Sequence, residues 1–159
     1  MLTLEAAKHL AEVGENKARQ MGLRIAISIV DDGGHLLVFH RVERARIAGI
    51  EISKNKAWTS VSMQQPTSNL AQSAQPGGPA FGINTTNEGR IVILGGGIPL
   101  KVGDHIVGGV GVSGGTSAQD IEVATAVVQA FESMVAGMSN GANANANANA
   151  NARIGSYRY

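Results

Sequence analysis

The chain has no cysteine. Disulfides, thiolate metal sites and cysteine nucleophiles are therefore excluded. Nothing in the composition asks for an oxidising compartment, and the expected location is the cytoplasm. Aromatic residues are 4% of the 159 residues, so the core must be built from Ile, Val, Leu and Ala. Neither sign of charge dominates, because 13 Lys and Arg against 12 Asp and Glu leave a formal +1. There is no basic cluster with interleaved aromatics, which removes the electrostatic basis for a nucleic acid partner. The opening Met1-Leu2-Thr3-Leu4-Glu5 lacks the basic region and apolar core of a signal peptide. No window reads as an apolar membrane span, and no membrane partner is expected.

What the chain has in excess is glycine, 21 residues, about twice the usual share. They have no period of three, so they signal tight turns and close packing. The densest stretch, residues 90–120, holds three short β-branched runs separated by glycine clusters. That is the pattern of adjacent strands joined by tight turns. The last run leads through Ser113, Gly114, Gly115 and Thr116 into a helix, with Ser117 and Asp120 spaced as a capping box.

The rest of the chain supplies the other layers. Residues 4–21 carry apolar and small residues at helical spacing, and Gly22 is a fitting stop. Residues 23–30 and 35–42 read as a hairpin around Asp31-Asp32-Gly33-Gly34. Residues 47–63 read as a helix with Ile50, Ala57, Trp58 and Val61 inward, and Thr67 caps a short helix to Ala74. A long polar loop, 75–90, precedes the three strands, and a loop of that length suits a functional or interfacial role. The final helix spans 118–136 and ends at Gly137. Residues 1–138 thus form a single domain, and the Ala/Asn-rich residues 139–159 read as a low-complexity flexible tail. The expected fold is α/β (α+β), a largely antiparallel sheet of about five strands with helices packed on it.

Several chemistries fail on context. Gly109, Gly111 and Gly114 match a dinucleotide fingerprint in letters, but they lie in a late strand and not in the first turn of a strand–helix–strand unit. Close packing of that strand is the better account. Ser113 sits in a G-x-S-x-G string, yet no histidine follows residue 105 to complete a hydrolase triad. The histidines are His9, His35, His40 and His105. His35 and His40 are an odd number of residues apart on one strand and so face opposite ways; they cannot share an ion. Arg41, Glu43, Arg44, Arg46, Lys54 and Lys56 follow the hairpin and suit either a carboxylate clamp or local ion pairs, Arg41 with Glu43 and Lys56 with a neighbouring acid.

Gly95-Gly96-Gly97-Ile98-Pro99-Leu100, the run Gly108 to Gly115 and Gln119-Asp120 resemble the GlcG/HbpS family, the domain also found at the C-terminus of PduO proteins. The likeness continues through Val30 to His35, Arg41 to Arg44, Lys54 to Ala57 and Gln75 to Asn84, and spans roughly residues 3–136. The resemblance implies a profilin-like three-layer α/β/α fold, assembly into homo-oligomers, and binding of haem or another tetrapyrrole. It makes His35 the first candidate for the haem iron and His40 the second. A site between subunits would be framed by Arg41, Glu43, Lys56, Gly96, Gly97, Ser113, Gly114 and Gly115. The corrinoid adenosyltransferase activity of PduO belongs to its other domain and is not transferred. Three readings stay open. The first is a small-ligand-binding protein accessory to diol, glycerol or glycolate metabolism. The second is an enzyme on a diol- or hydroxyacid-derived metabolite using Asp31, Glu43 or His35. The third is a purely structural accessory subunit.

Overall fold

The computed structural model describes the backbone of residues 1–155 and the side chains of residues 1–142. Helix α1, Leu4–Gln20, starts where the Thr3 hydroxyl accepts from Ala6 N–H. Glu5 in its first turn and Lys17 and Arg19 in its last complement the helix dipole. Gly22, at φ 69°, turns the chain out of it.

The sheet has four strands: β1 Ala26–Asp31, β2 Leu36–Arg41, β3 Gly97–Val102 and β4 His105–Ser113. Their order is β2-β1-β4-β3, and every pairing is antiparallel. This is one strand fewer than expected. The run from Arg90 to Leu94 stays outside the sheet because α2 satisfies its backbone. Thr59 Oγ1 donates to Arg90 O at 3.1 Å and accepts from Val92 N–H at 3.1 Å. A β-rich composition therefore did not make a strand; a side chain took the ladder's place.

One face of the sheet carries α1 and α4. There Leu10, Ala11, Ala18, Ile25, Ile27, Ile29, Val110, Val112, Val123, Val127 and Phe131 form the main core. The other face carries α2, Gly49–Ser62, and the short α3, Thr67–Ser73. The architecture is thus the expected α/β/α sandwich. Helix α2 buries a more polar face than its apolar spacing suggested: Ser53, Lys56, Thr59 and Ser60 are buried with Ala57 and Val61, while Ile50 and Trp58 are half-buried. The Ser53 hydroxyl meets that of Ser28 on β1 at 2.9 Å, and Ser60 donates to Ala57 O at 2.8 Å. The helix comes this close because Gly109 and Gly111 on β4 have no side chain. A Cβ on Gly111 would strike Ser53 O and Ala57 N.

Two helix starts differ from expectation. Thr67 does not cap α3, since Pro66 occupies that position; the Thr67 hydroxyl is buried and accepts from Gly97 N–H at 2.9 Å. At α4 the reciprocal cap is Thr116 with Gln119, at 3.2 and 2.9 Å, one residue before the expected pair. Asp120 is thereby released for another task.

Helix α4 runs Ser117–Gly155 and does not stop at Gly137. An exposed helical glycine costs only about 1 kcal/mol relative to alanine, too little to end a helix between Ala136 and Met138, both good helix formers. The expected tail, residues 139–159, is helical as far as Gly155; its remainder lies outside the described residues. The expectation of no apolar span is also corrected. Within Ser117–Ala142 an 18-residue window has a mean hydropathy of 1.3, long and apolar enough by length and composition to cross a membrane. Alanine, valine and methionine supply that average, and part of it is the core stripe of Val123, Ala124, Val127 and Phe131.

Candidate functional site

The site residues named from the sequence separate into two groups at opposite ends of the sheet. At one end, Asp31 closes β1. Its Oδ1 accepts from Gly33 N–H and His35 N–H, each at 2.9 Å, and lies 3.2 Å from His35 Nδ1. Partial burial pushes the Asp31 carboxyl up, but the two backbone N–H groups and the nearby imidazole outweigh it and hold it below the ordinary value. The His35 side chain is 80% exposed, with Nδ1 on the carboxylate and no partner at Nε2 among the described residues. Trp58 from α2 packs beneath Gly34, and the Arg90 guanidinium stacks 4.0 Å over its ring. His40 points to the opposite face, as the spacing predicts. Its Nδ1 is buried without a hydrogen bond, 3.5 Å from Glu15 Oε2.

At the other end a buried ion pair anchors three elements. Lys56 Nζ, from α2, lies 2.9 Å from Asp120 Oδ2 on α4 and donates to Val112 O on β4 at 2.8 Å. The two side chains are 2% and 4% exposed. Burial pushes the Lys56 ammonium down from its ordinary value, and Asp120 opposes that shift. Asp120 Oδ1 accepts from Gly115 N–H at 2.8 Å, fixing the entrance of α4. Lys56 does form an ion pair, but with an acid 64 positions away and not with a neighbour in the sequence. An Arg41–Glu43 pair is absent among the described residues: Arg41 instead donates to Ala45 O at 3.1 Å, and Glu43 is exposed.

Above the pair lies a cavity of about 180 Å³ whose walls include Lys56, Asp120, Arg46, Ser113, Gly114 and Gly115. Ser113 is 8% exposed and lines the cavity, with no hydrogen bond from its hydroxyl among the described residues. Gly96 and Gly97 do not line this cavity; they lie against Lys56 from behind. A Cβ on Gly96 would come within 3.0 Å of Lys56 Nζ, and one on Gly97 would strike Lys56 O. Gly114 is shared with a second depression of about 400 Å³ lined by Arg24, Arg44 and Arg46.

The structure therefore brings Lys56, Ser113, Gly114 and Gly115 together. Arg41 is at the same end, since Ala26 pairs with Arg41 on one side and Ser113 on the other. His35 is not. It follows β1, six residues long, which at ~3.3 Å per residue sets it about 17 Å from the Ser113 end. Within one copy His35 and the Lys56 cavity are separate places. Sequence reading missed Arg24, and it took Asp120 for a cap. A lysine in the middle of a helix whose neighbours are buried small residues was the available signal, because such an amine demands a buried acid.

With this geometry in hand, the comparisons with known proteins are specific. The family model described as "Haem degrading protein HbpS-like" matches residues 2–129. A 15.0 kDa uncharacterised protein of the dhaT–dhaS intergenic region of Citrobacter freundii is 38% identical over 133 residues, covering 84% of this chain and 94% of that one. The corrinoid adenosyltransferase PduO of the same organism is 32% identical over 129 residues, 81% of this chain, and the chain spans only 38% of its length. Among solved structures, a PduOC:haem complex superposes with a TM-score of 0.78 at 32% identity, covering 81% of this chain and 94% of that one.

Proposed function

The chain belongs to the HbpS-like family, and from that footing we propose that it binds haem or a closely related tetrapyrrole, with His35 Nε2 as the iron ligand. The observation that carries the reading is the His35 imidazole itself. Its Nδ1 rests on the Asp31 carboxylate and its Nε2 opens to the outside. A carboxylate on the far nitrogen is the second partner that metal-ligating histidines habitually have, because it fixes the tautomer and raises the basicity of the donor. The relative solved with haem supports the ligand class. When bound, haem supplies the redox-active iron; the chain contributes one nitrogen donor and the hydrogen bond that orients it. An imidazole this exposed needs an apolar cover from elsewhere, so the slot is assigned to an interface between copies in a homo-oligomer. The placement of the Citrobacter relative and the PduO likeness support an accessory role in diol or glycerol metabolism. A protein without cysteine suits the reducing cytoplasm.

The test is an absorption titration with hemin on the intact chain and on His35→Ala, Asp31→Asn and His40→Ala. Wild type and His40→Ala are expected to give a saturable Soret shift, one per site, and His35→Ala none. Asp31→Asn retains an Oδ1 acceptor for the turn but weakens the hold on Nδ1, so affinity should fall by about 10- to 100-fold. A shift that survives His35→Ala unchanged sinks the ligand assignment, and its loss in His40→Ala would move the iron to the other face.

A further inference from the structure

The end of the sheet remote from His35 carries positive charge that no described residue neutralises. Arg24 follows α1, and Arg44 and Arg46 lie in the β2–α2 connection. All three are exposed and line the depression of about 400 Å³. Among the described residues none of their guanidinium groups makes an ion pair or a hydrogen bond; the pairs present engage Lys17, Arg19, Lys54, Lys56, His35 and His40. The nearby end of α1 does not serve as their anion, because its last carbonyls already accept from Met21, Gly22 and Leu23 N–H. Arg44 is held at φ 64°, a left-handed conformation that side-chain-bearing residues seldom adopt.

The depression adjoins the cavity of about 180 Å³, and the two share Arg46 and Gly114 in their walls. Two features there face a ligand. Ser113 is 8% exposed and lines the cavity, and among the described residues its hydroxyl makes no hydrogen bond. The first turn of α4 begins at Ser117 in the cavity wall and brings the positive end of the helix dipole there, although side chains already take the Gly115, Thr116 and Gln119 N–H groups. The one carboxylate present, Asp120, is already matched by Lys56 and Gly115 N–H. A cavity of about 180 Å³ is below the roughly 300–1,000 Å³ of pockets for drug-sized ligands, which suits an occupant of a few carbon atoms.

We propose that this joined cavity is a second binding site, for a small organic oxyanion: a metabolite of a few carbons bearing a carboxylate or a phosphate. Its charged group sits among Arg24, Arg44 and Arg46, whose planar donors match both anions in bidentate fashion. A polar group on its carbon chain meets Ser113. The site does not depend on the tetrapyrrole reading, since it lies at the other end of the sheet and uses none of the same residues.

Calorimetric titration of the intact chain tests this, with inorganic phosphate, glycerol 3-phosphate and malate as separate probes and sodium chloride at equal ionic strength as the blank. Saturable binding of one probe class, one per chain, is expected. Binding of the two phosphate probes alone identifies a phosphate site, and malate alone a carboxylate site. Arg46→Gln, on the boundary of both cavities, should weaken binding about tenfold, the loss of one charged hydrogen-bonding group. Ser113→Ala should weaken the organic probes and leave inorganic phosphate unaffected. Arg19→Gln, in the last turn of α1 but outside the lining of both cavities, should change nothing. The arginines are exposed, so these variants are expected to keep the wild-type melting temperature and the wild-type hemin titration. No saturable heat with any probe, or binding indifferent to Arg24→Gln, Arg44→Gln and Arg46→Gln, overturns the proposal.

Discussion

Lys56 and Asp120 are 64 positions apart in the chain and 2.9 Å apart in the fold. An ammonium taken out of water is tolerable only where partners replace its hydration, and Lys56 has a carboxylate and a backbone carbonyl. Removing one partner of a buried pair leaves an uncompensated charge, whereas replacing both with apolar groups can be nearly neutral. Asp120→Ala is therefore expected to cost about 3–5 kcal/mol in urea unfolding. The double replacement Lys56→Met with Asp120→Leu should recover most of that loss. A cost below about 1 kcal/mol for Asp120→Ala would mean the pair behaves as an exposed one. Both residues drew notice in the sequence, Lys56 as an anion clamp and Asp120 as a helix cap. Neither role predicted the other partner, because local pattern carries no information about contacts 64 residues apart.

At the level of elements, the approach of α2 to the sheet rests on glycine. Ser53 O and Ala57 N lie where a Cβ on Gly111 would go, and backbone atoms cannot rotate aside. Gly111→Ala should therefore destabilise by more than the roughly 1–3 kcal/mol of ordinary overpacking. Gly137→Ala is its counterpart. Nothing lies near that position, and helix propensity predicts a gain of about 1 kcal/mol. Thermal or chemical unfolding of the two variants side by side checks the contrast; equal, small effects would mean that α2 does not sit on β4 as described. The glycine spacing was legible as close packing of a late strand. The fifth strand was not refutable from sequence, because Thr59 withdraws Arg90 and Val92 from the sheet through a contact made only after α2 has docked.

For the molecule as a whole, the strand order β2-β1-β4-β3 puts two strands inside and two at the edges. Amide hydrogen exchange should be slowest in β1 and β4, whose ladders are bonded on both sides, and faster at the outward N–H groups of β2 and β3. Outward amides of β2 protected as strongly as those of β1 would instead place another copy against that edge. The same order separates the two candidate sites, the imidazole end with Asp31 and His35 and the cationic end with Arg24, Arg44, Arg46 and Ser113. By itself the sequence determined the layers, the helix and hairpin positions, and the family, since these follow from hydrophobic period, turn residues and ordered local motifs. It also supplied most of the candidate site residues. Only the tertiary structure decided which of them share a place. Which side chains meet depends on strand order and register, and those are set by packing between segments far apart in the chain.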